Sequence, residues 1–340
     1  MSVNYSAGLS HYEEKGVCGL PEIVEDSEKI EEKIKVVCEW IKSSKCVVIH
    51  CGAGISTSCG IPDFRGPKGV WTLEKAKEDE ERRKNKQNSI RRSKDCKAFA
   101  LKKETGDDKE PENQSSDLLL ESTSIGQSIS FEASKPSYTH RALNQLASSG
   151  LIHFIISQNV DGLFLKTGIN RRFICELHGN FFLDECDTCE SRFIRSTSSP
   201  TMGLKVSTRS CPRPGRPCRG HLRDTILDWE DDLPVGELEM AQQFAAKADL
   251  CICLGTSLQI VPAANLPFVC KKRKSDQGKV IIINLQPTKF DHKADLVLHD
   301  YVDSVLERIC KQLNISVPDY DPAHDLTKLV ETNNQLNLWK

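Results

Sequence analysis

Three stretches that turn from apolar to small or polar residues carry the side chains best suited to chemistry. The first, VVIHCGAGISTSCGIPDFRG at 47–66, passes from an apolar run into glycines and hydroxyls, then into an acid, a phenyl ring and a guanidinium. A strand that ends in Gly52 and Gly54 lets the chain turn sharply, so a phosphate can reach the backbone amides of the next helix. Thr57 stands where the dinucleotide fingerprint has its third glycine, and a tight structural turn explains the loop equally well.

Two later strand ends favour a nucleotide site. CICLGTSLQIVP gives Gly255, Thr256 and Ser257 after an apolar run, and VIIINLQPT ends in Asn284, whose amide suits a ribose or an adenine edge. Ligands of open parallel sheets bind beyond the carboxyl ends of the strands. Hydride-transferring enzymes hold a ribose with an acid about 20 residues after the glycine loop. This sequence has no clear counterpart, which disfavours that class.

Four cysteines in two pairs predict a structural zinc site. Cys186 and Cys189 have the close spacing of a zinc knuckle, and Cys211 and Cys218 follow after 21 residues. Four thiolates fill every position of tetrahedral Zn(II), and metal binding replaces the hydrophobic core that this polar segment lacks. A redox pair and plain surface cysteines are the alternatives.

The elements that must position these residues alternate along the chain. An amphipathic helix at 28–43 leads into the first strand. The predicted strands are continuous apolar runs, as in a parallel sheet covered on both faces, at 46–51, 152–157, 249–254, 279–284 and 295–298. Further helices are predicted at 139–148, 238–247 and 302–313. This alternation predicts an α/β fold with a Rossmann-like, doubly wound parallel sheet and a small inserted zinc-binding domain.

Composition suggests where the domains divide. We expect an N-terminal segment with the first helix at 1–45, a discontinuous Rossmann-like domain at 46–183 and 224–315, a small zinc module at 184–223 and a loose tail at 316–340. Residues 74–135 are charged or serine-rich with few aromatics, which predicts a disordered insertion.

The overall composition argues against several classes of protein. The net charge of −2 gives no general attraction to nucleic acid or acidic lipid. No apolar run approaches the roughly 20 residues of a membrane helix, and the N-terminus lacks the apolar core of a secretory signal. Several of the 15 cysteines lie in strand-like runs, as reduced and buried side chains do. We therefore expect an intracellular protein that does not contact membranes.

Taken together, the motifs resemble those of the sirtuin family. GAGIS, GIPDFRG, SQNVDGL, ELHGN, the paired cysteines, GTSLQI and NLQPT occur in that family's order between residues 47 and 303. YSAGLS, CGLPE and LRDTILDWEDDLP are most similar to the chromatin-associated members, in class IV. The resemblance implies a Rossmann-like domain with an inserted zinc domain, and NAD in the cleft between them.

The resemblance also implies roles for individual residues. Sirtuins break the nicotinamide–ribose bond, and the acyl oxygen of a modified lysine captures the ribose C1′. His178 matches the general base, Asn159 is the second catalytic residue, and Trp229 is expected at the acyl-lysine tunnel unless it is an ordinary core aromatic. The residues implied to bind NAD are Gly52, Ala53, Thr57, Asp63, Phe64, Arg65, Trp71, Gln158, Asp161, Gly255, Thr256, Ser257, Asn284, Leu285, Gln286 and Val302.

The activity implied is that of an NAD-dependent protein-lysine deacylase in the nucleus, which acts on histone-like acyl-lysines and releases nicotinamide and O-acyl-ADP-ribose. One alternative is a mono-ADP-ribosyltransferase. Another is a zinc-containing chromatin-binding module that senses NAD with negligible turnover. A base beside Asn159 and Asp161 favours an enzyme, because a pure binder needs no base.

Two basic stretches suggest a polyanionic partner. Residues 82–103 hold ten Lys or Arg against one Asp, as in an arm that docks on DNA or chromatin, although acidic clusters on either side fit a solvated loop equally well. KKRK at 271–274 matches a nuclear signal and, equally, a solvated loop.

Overall fold

The computed structural model describes residues 8–10, 12–102, 130–215, 218–273, 277–333 and 337–338. The helices are α1 (Ser27–Ser43), α2 (Val70–Lys102), α3 (Tyr138–Ser148), α4 (Val235–Lys247), α5 (Val302–Gln312) and α6 (Leu326–Asn333). The strands are β1 (Val47–Cys51), β2 (Phe154–Ser157), β3 (Ile174–Glu176), β4 (Leu183–Cys186), β5 (Arg192–Ile194), β6 (Val206–Ser210), β7 (His221–Asp224), β8 (Leu250–Leu254), β9 (Lys279–Ile283), β10 (Leu296–Leu298) and β11 (Asn337–Leu338).

Six parallel strands form the main sheet, in the order β10-β9-β8-β1-β2-β3. The chain runs outward from β1 to β3 and then returns to the other side of β1 with β8. The order of strands therefore reverses between β1 and β8, which is where open α/β sheets form a ligand crevice. The predicted α/β class and doubly wound sheet are confirmed.

Both faces of this sheet are covered, which explains why its strands are apolar without alternation. In β1, Val47 and Ile49 pack with α1, α3 and α5, while Val48 packs on the opposite face with α4.

The helices that cover the sheet follow from the sequence as well. Asp26 caps α1 by accepting a hydrogen bond from the Glu28 amide at 2.9 Å, and the buried residues of α1 follow the helical repeat: Ile30, Ile34, Val37, Cys38 and Ile41.

A second, antiparallel sheet carries the predicted cysteines. Its order is β11-β5-β4-β7-β6, and its own buried cluster consists of Cys186, Phe193 and Leu222 with three further cysteines around them. Burial of so few side chains gives little stability. The expectation that this segment needs more than a hydrophobic core therefore fits its packing. The division into domains at the residues given above stays a proposal.

The first part of the predicted insertion is helical. Residues 74–102 belong to α2, so the expectation of disorder is wrong there, while 103–129 lie outside the described residues. The segment has few large apolar residues, but Lys, Glu, Arg and Ala favour a helix locally. Glu80 and Lys84, one turn apart, form an ion pair at 2.7 Å.

Among the described helices, none has the length and apolarity needed to cross a membrane.

The C-terminal tail is also more ordered than expected. The buried Asp325 carboxylate accepts hydrogen bonds from the Tyr320 hydroxyl at 2.7 Å and the Thr327 amide at 2.9 Å, which fixes the start of α6. Beyond α6, β11 pairs with β5. A carboxylate inside a polar sequence thus supplies the order that composition did not predict.

Lys166 fixes the chain where it returns from the insertion. Its side chain is 3% exposed, and its ammonium donates to the carbonyls of Phe131 at 2.6 Å, Glu132 at 3.1 Å and Ser134 at 2.8 Å. Three carbonyls around one cation compensate for its removal from water.

We therefore expect Lys166→Met to lower the free energy of unfolding by about 3 kcal/mol, because the carbonyls lose a donor in a buried place. Chemical denaturation measures this change. Lys35→Met, at an exposed position of α1, is the matched control. Equal denaturation midpoints for the two variants would contradict the assigned role of Lys166.

Candidate active site and metal centre

A cleft of about 720 Å³ opens at the carboxyl ends of β1, β2 and β8. Residues of the segment that follows β7, including Trp229, close its far side. The sequence-predicted residues that line it are Gly52, Ala53, Asp63, Phe64, Arg65, Trp71, Gln158, Asn159, Asp161, His178, Trp229, Gly255, Thr256, Ser257, Asn284 and Gln286. Thr57, Leu285 and Val302 do not line the cleft. The structure thus brings together most of the predicted site.

The glycines of the first loop serve contact between loops. The Gly52 amide donates to the Leu254 carbonyl at 3.1 Å, and the Gly54 amide donates to the Gly255 carbonyl at 2.8 Å. A Cβ on Gly54 would lie 2.8 Å from the Gly255 Cα. These contacts give the glycines a role in packing, and their contact with a phosphate stays a prediction, as does that of half-buried Ala53.

Three buried side chains form a fixed polar cluster at the centre of the cleft. The Ser56 hydroxyl donates to the Asp161 carboxylate at 2.6 Å and accepts from the Asn159 amide group at 3.2 Å. The other Asp161 oxygen accepts from the Leu163 amide at 2.9 Å. Each group is held in one orientation before any ligand arrives, a requirement for selective recognition of a carboxamide.

Ser56 is a site residue that the sequence reasoning missed. The sequence pattern favours the exposed Thr57, yet its hydroxyl donates back to the Gly54 carbonyl at 3.1 Å. The signal lay in Ser56, the last residue of GAGIS, which directly precedes Thr57.

The tautomer of His178 follows from its hydrogen bond. Its Nδ1 lies 3.0 Å from the Gln158 carbonyl oxygen, which can only accept, so Nδ1 carries the hydrogen and Nε2 keeps its lone pair. Burial lowers the pKa of His178, and the bond to Gln158 opposes this effect. The imidazole is therefore neutral at pH 7 and able to accept a proton.

The loop after the first glycines builds the rim. The Asp63 carboxylate accepts from the Gly66 amide at 2.8 Å and shapes this turn, so its position supports the loop rather than a ligand directly. The guanidinium of Arg65 lies 4.4 Å from the Trp71 ring centroid, and its Nε donates to the Lys15 carbonyl at 2.8 Å.

Aromatic rings crowd the mouth of the cleft. Tyr12 stacks on Trp229 at 4.9 Å and on Trp71 at 5.6 Å between centroids, and Phe64 lies 4.9 Å from Trp71. Trp229 is half-buried among these rings and lines the cleft, and its place at an acyl-lysine tunnel stays a prediction.

The N-terminal segment crosses this mouth, which the sequence did not predict. The Ser10 hydroxyl donates to the Asp228 carboxylate at 2.7 Å, and the Lys15 ammonium pairs with Glu74 at 3.3 Å and Glu78 at 3.2 Å on α2. Farther along, the Ile23 amide donates to the Leu285 carbonyl at 2.8 Å. Leu285 thus holds this segment rather than the cleft wall, whereas Val302 is a buried residue at the start of α5.

Polar side chains line the far end of the cleft. The Asn284 side chain donates to the Gln286 carbonyl at 2.7 Å, and Gln158 donates to the Thr256 hydroxyl at 3.3 Å. These bonds fix amide and hydroxyl groups beside Gly255, in an arrangement suited to a sugar or an adenine edge.

The four predicted cysteines meet at one point. Their sulfurs all lie within 4.8 Å of one another, with Cys186 to Cys218 at 3.6 Å and Cys189 to Cys211 at 3.7 Å. A tetrahedral zinc with Zn–S bonds of about 2.3 Å sets its sulfurs about 3.8 Å apart. The Gly220 amide points at the Cys218 sulfur at 3.4 Å, as second-sphere donors do at thiolate sites. The residues therefore fit a structural zinc ion.

The fold and the site define a class: an α/β protein with a nucleotide-type crevice at the sheet's switch point and an inserted four-cysteine module. The model of the Sir2 family matches residues 52–120 and 102–262. The chain belongs to the Sir2 family, and the predicted family is confirmed.

Related proteins match along nearly the whole chain. The NAD-dependent protein deacetylase Sirt6 of Drosophila melanogaster is 42% identical over 333 residues, which cover 96% of this chain and 90% of that protein. The NAD-dependent protein deacetylase SRT1 of Arabidopsis thaliana is 40% identical over 94% of this chain and 57% of its own length. A solved Sir2–p53 peptide–NAD⁺ complex superposes with a TM-score of 0.53 at 27% identity, over 83% of this chain and 99% of that one.

We expect Cys186→Ser to release the metal and lower the melting temperature by roughly 5–10 °C, because a three-sulfur site holds zinc weakly in a module with a minimal core. Elemental analysis and thermal unfolding give the two readouts. Cys18→Ser, at a half-buried position outside the cluster, should keep both metal and stability. Absence of stoichiometric zinc from the unmodified protein would overturn the assignment.

Proposed function

We propose that this protein is an NAD-dependent protein-lysine deacylase that moves the acyl group of a modified lysine to ADP-ribose and releases nicotinamide. The observation that carries the proposal is the neutral His178, oriented by the Gln158 carbonyl in the cleft that also holds the Asn159–Ser56–Asp161 cluster. Its relatives' names and the titles of its structural neighbours support the same chemistry.

When bound, NAD supplies an ADP-ribosyl group whose C1′ can accept the acyl oxygen as nicotinamide leaves. In this proposal His178 Nε2 takes the proton of a ribose hydroxyl, and Gln158 contacts that ribose. Asn159 and Asp161 hold the carboxamide of the nicotinamide, and their hydrogen bonds to Ser56 keep both side chains in one orientation. Phe64 covers the exposed sugar face against water.

The remaining cofactor contacts divide between the two ends of the cleft. Ala53 and Arg65 face the pyrophosphate in this proposal, while Gly255, Thr256, Ser257, Asn284 and Gln286 form the adenosine end. A zinc ion held by the four cysteines would stay outside the reaction, because four sulfurs leave it no open position.

The substrate class proposed is an acyl-lysine peptide, with histone tails as its source and the nucleus as the place of action. A peptide would enter between the domains as an added strand, with Trp229 against the acyl-lysine. A solved Sir2 structure bound to acetylated peptide, similar to this chain with a TM-score of 0.52 at 26% identity, supports this class. Within KKRK at 271–274, the proposed nuclear signal, the Lys271 ammonium forms an ion pair with Asp295 at 2.8 Å.

We expect His178→Ala to lower the rate of deacylation by about 10³-fold or more with unchanged affinity for NAD, because the base is lost and the pocket is kept. In the unmodified protein the rate should fall only below about pH 6.5, since the pKa of His178 is lowered. Product formation from an acetyl-lysine peptide and calorimetric NAD titration give the two readouts. His292→Ala, at an exposed position, is the control.

A near-normal rate in His178→Ala would remove this residue from the mechanism. Mass spectrometry of the products separates the competing functions, because O-acyl-ADP-ribose, ADP-ribosylated protein and unreacted NAD differ in mass. A mono-ADP-ribosyltransferase would give ADP-ribosylated protein, and an NAD-sensing module would leave NAD unreacted.

We also propose that the basic part of α2 and its continuation, residues 82–103, contacts DNA. Arg82, Arg83, Lys84 and Lys86 are all exposed on α2, where Lys84 pairs with Glu80 one turn away. Such cations release counterions from phosphates when they bind.

Replacement of these four residues by Gln should flatten the salt dependence of DNA binding: the magnitude of the slope of log K for DNA against log[salt] should fall by up to about 4 units. Deacylation of a free peptide should stay unchanged. Deletion of 80–105 should weaken DNA binding further. Electrophoretic or anisotropy titrations at several salt concentrations measure both. Identical slopes for the four-Gln variant and the parent would reduce this segment to a solvated helix.

A further inference from the structure

The turn that carries His178 is closed by two buried polar side chains. Glu176 ends β3, and the Asn180 side chain donates to its Oε1 at 2.7 Å, so the two residues bridge the turn between them. They are 3% and 0% exposed. The backbone amide of Asn180 also donates to the Thr225 hydroxyl at 3.0 Å. Gly179 lies in the left-handed region with φ of 87°, where a Cβ would lie 1.8 Å from the Thr225 carbonyl oxygen. The turn is thus held from both sides.

Glu176 also connects the turn to charged groups of three other elements. Its backbone amide donates to the Glu237 carboxylate of α4 at 2.8 Å. The other oxygen of Glu237 pairs with Arg171, which precedes β3, and with Arg192 of β5. Arg192 in turn pairs with Glu185 of β4 at 2.9 Å. A continuous chain of bonds therefore runs from the His178 turn into the sheet that carries the cysteines.

We propose that Glu176 is a positioning residue for His178, because its buried side chain closes the turn through Asn180. The proposal rests on the function proposed for His178, but the geometry of the turn can be measured without catalysis. Glu176 touches neither the cleft nor any reacting atom, so its effect passes through the orientation of the imidazole.

The surroundings of Glu176 favour its protonated form. Burial raises the pKa of Glu176 to about 8; the Asn180 hydrogen bond, Arg171 and Arg192 act in the opposite direction, while Glu237 raises it further. Its Oε2 has no hydrogen-bond partner among the described residues. Between the pKa of about 4.5 in the unfolded chain and about 8 in the native protein, only the native state holds this proton. Stability from this group is therefore complete at low pH and is lost as the pH rises through 8.

The test compares Glu176→Gln with Glu176→Ala in the full-length chain. The Gln amide keeps an acceptor for Asn180 and cannot ionise, whereas Ala leaves the Asn180 side chain without its partner. We expect Ala to lower kcat by about 10- to 100-fold with little change in KM for NAD, and Gln to restore kcat to within about threefold. Above pH 8 kcat should decline in the unmodified protein and stay level in Glu176→Gln.

Two measurements independent of activity complete the test. The nitrogen resonances of the His178 imidazole report the Nδ1–H bond to Gln158, which should persist in the Gln variant and be lost in the Ala variant. The melting temperature of Glu176→Gln should rise relative to the unmodified protein as the pH increases from 5 to 9. Val305→Ala, a destabilising change in the core under α5, controls for general loss of stability and should leave the resonances intact.

Normal His178 resonances and kcat in Glu176→Ala would overturn the inference. Loss of kcat in Val305→Ala equal to that in Glu176→Ala would do the same. An unmodified protein with no deacylation refutes the proposed function instead, and the resonances still decide the role of Glu176.

Discussion

The close approach of two backbones, at Gly54 and Gly255, is the constraint on which the site depends. The amide of Gly54 and the carbonyl of Gly255 lie 2.8 Å apart, and neither residue could carry a side chain without separating them. Because β1 and β8 are neighbours at the point where the strand order reverses, this contact fixes the floor of the cleft. The turn after Gly54 then places the Ser56 hydroxyl between Asn159 and Asp161.

The cleft has a rigid interior and a mouth held by weaker forces. Inside, the side chains of Ser56, Asn159 and Asp161 and the Nδ1 of His178 have hydrogen-bond partners that set their direction. The mouth consists of stacked rings and of partly exposed ion pairs such as Lys15 with Glu78. Stacking tolerates sliding, and partly exposed ion pairs each contribute little, so these contacts fix the mouth less tightly than the hydrogen bonds fix the interior.

The sequence predicted what local pattern determines and missed what depends on distant contacts. The strands of the main sheet were recognised because burial on both faces requires unbroken apolar runs, but β3 has only three residues and left no such signal. Pattern also could not decide between neighbouring hydroxyls, since the direction of Ser56 is set by Asp161, 105 positions away. The position of the N-terminal segment depends on distant partners such as Asp228, 218 positions from Ser10. The residues of the segment itself do not predict these contacts.

The α2 helix is a further case in which two tendencies compete, and it has a geometric consequence. Low apolar content predicted disorder, while the helix-forming tendency of its residues prevailed over Val70–Lys102. Its first turn holds Trp71 in the aromatic mouth, and at 1.5 Å per residue the helix extends about 50 Å, with Arg82, where the basic stretch begins, about 18 Å from its start. If the basic part binds DNA as proposed, a helix of this length would act as a spacer. A long polymer held there would be kept at a distance from the cleft that the helix length sets, which would select the positions along that polymer that can reach the cleft.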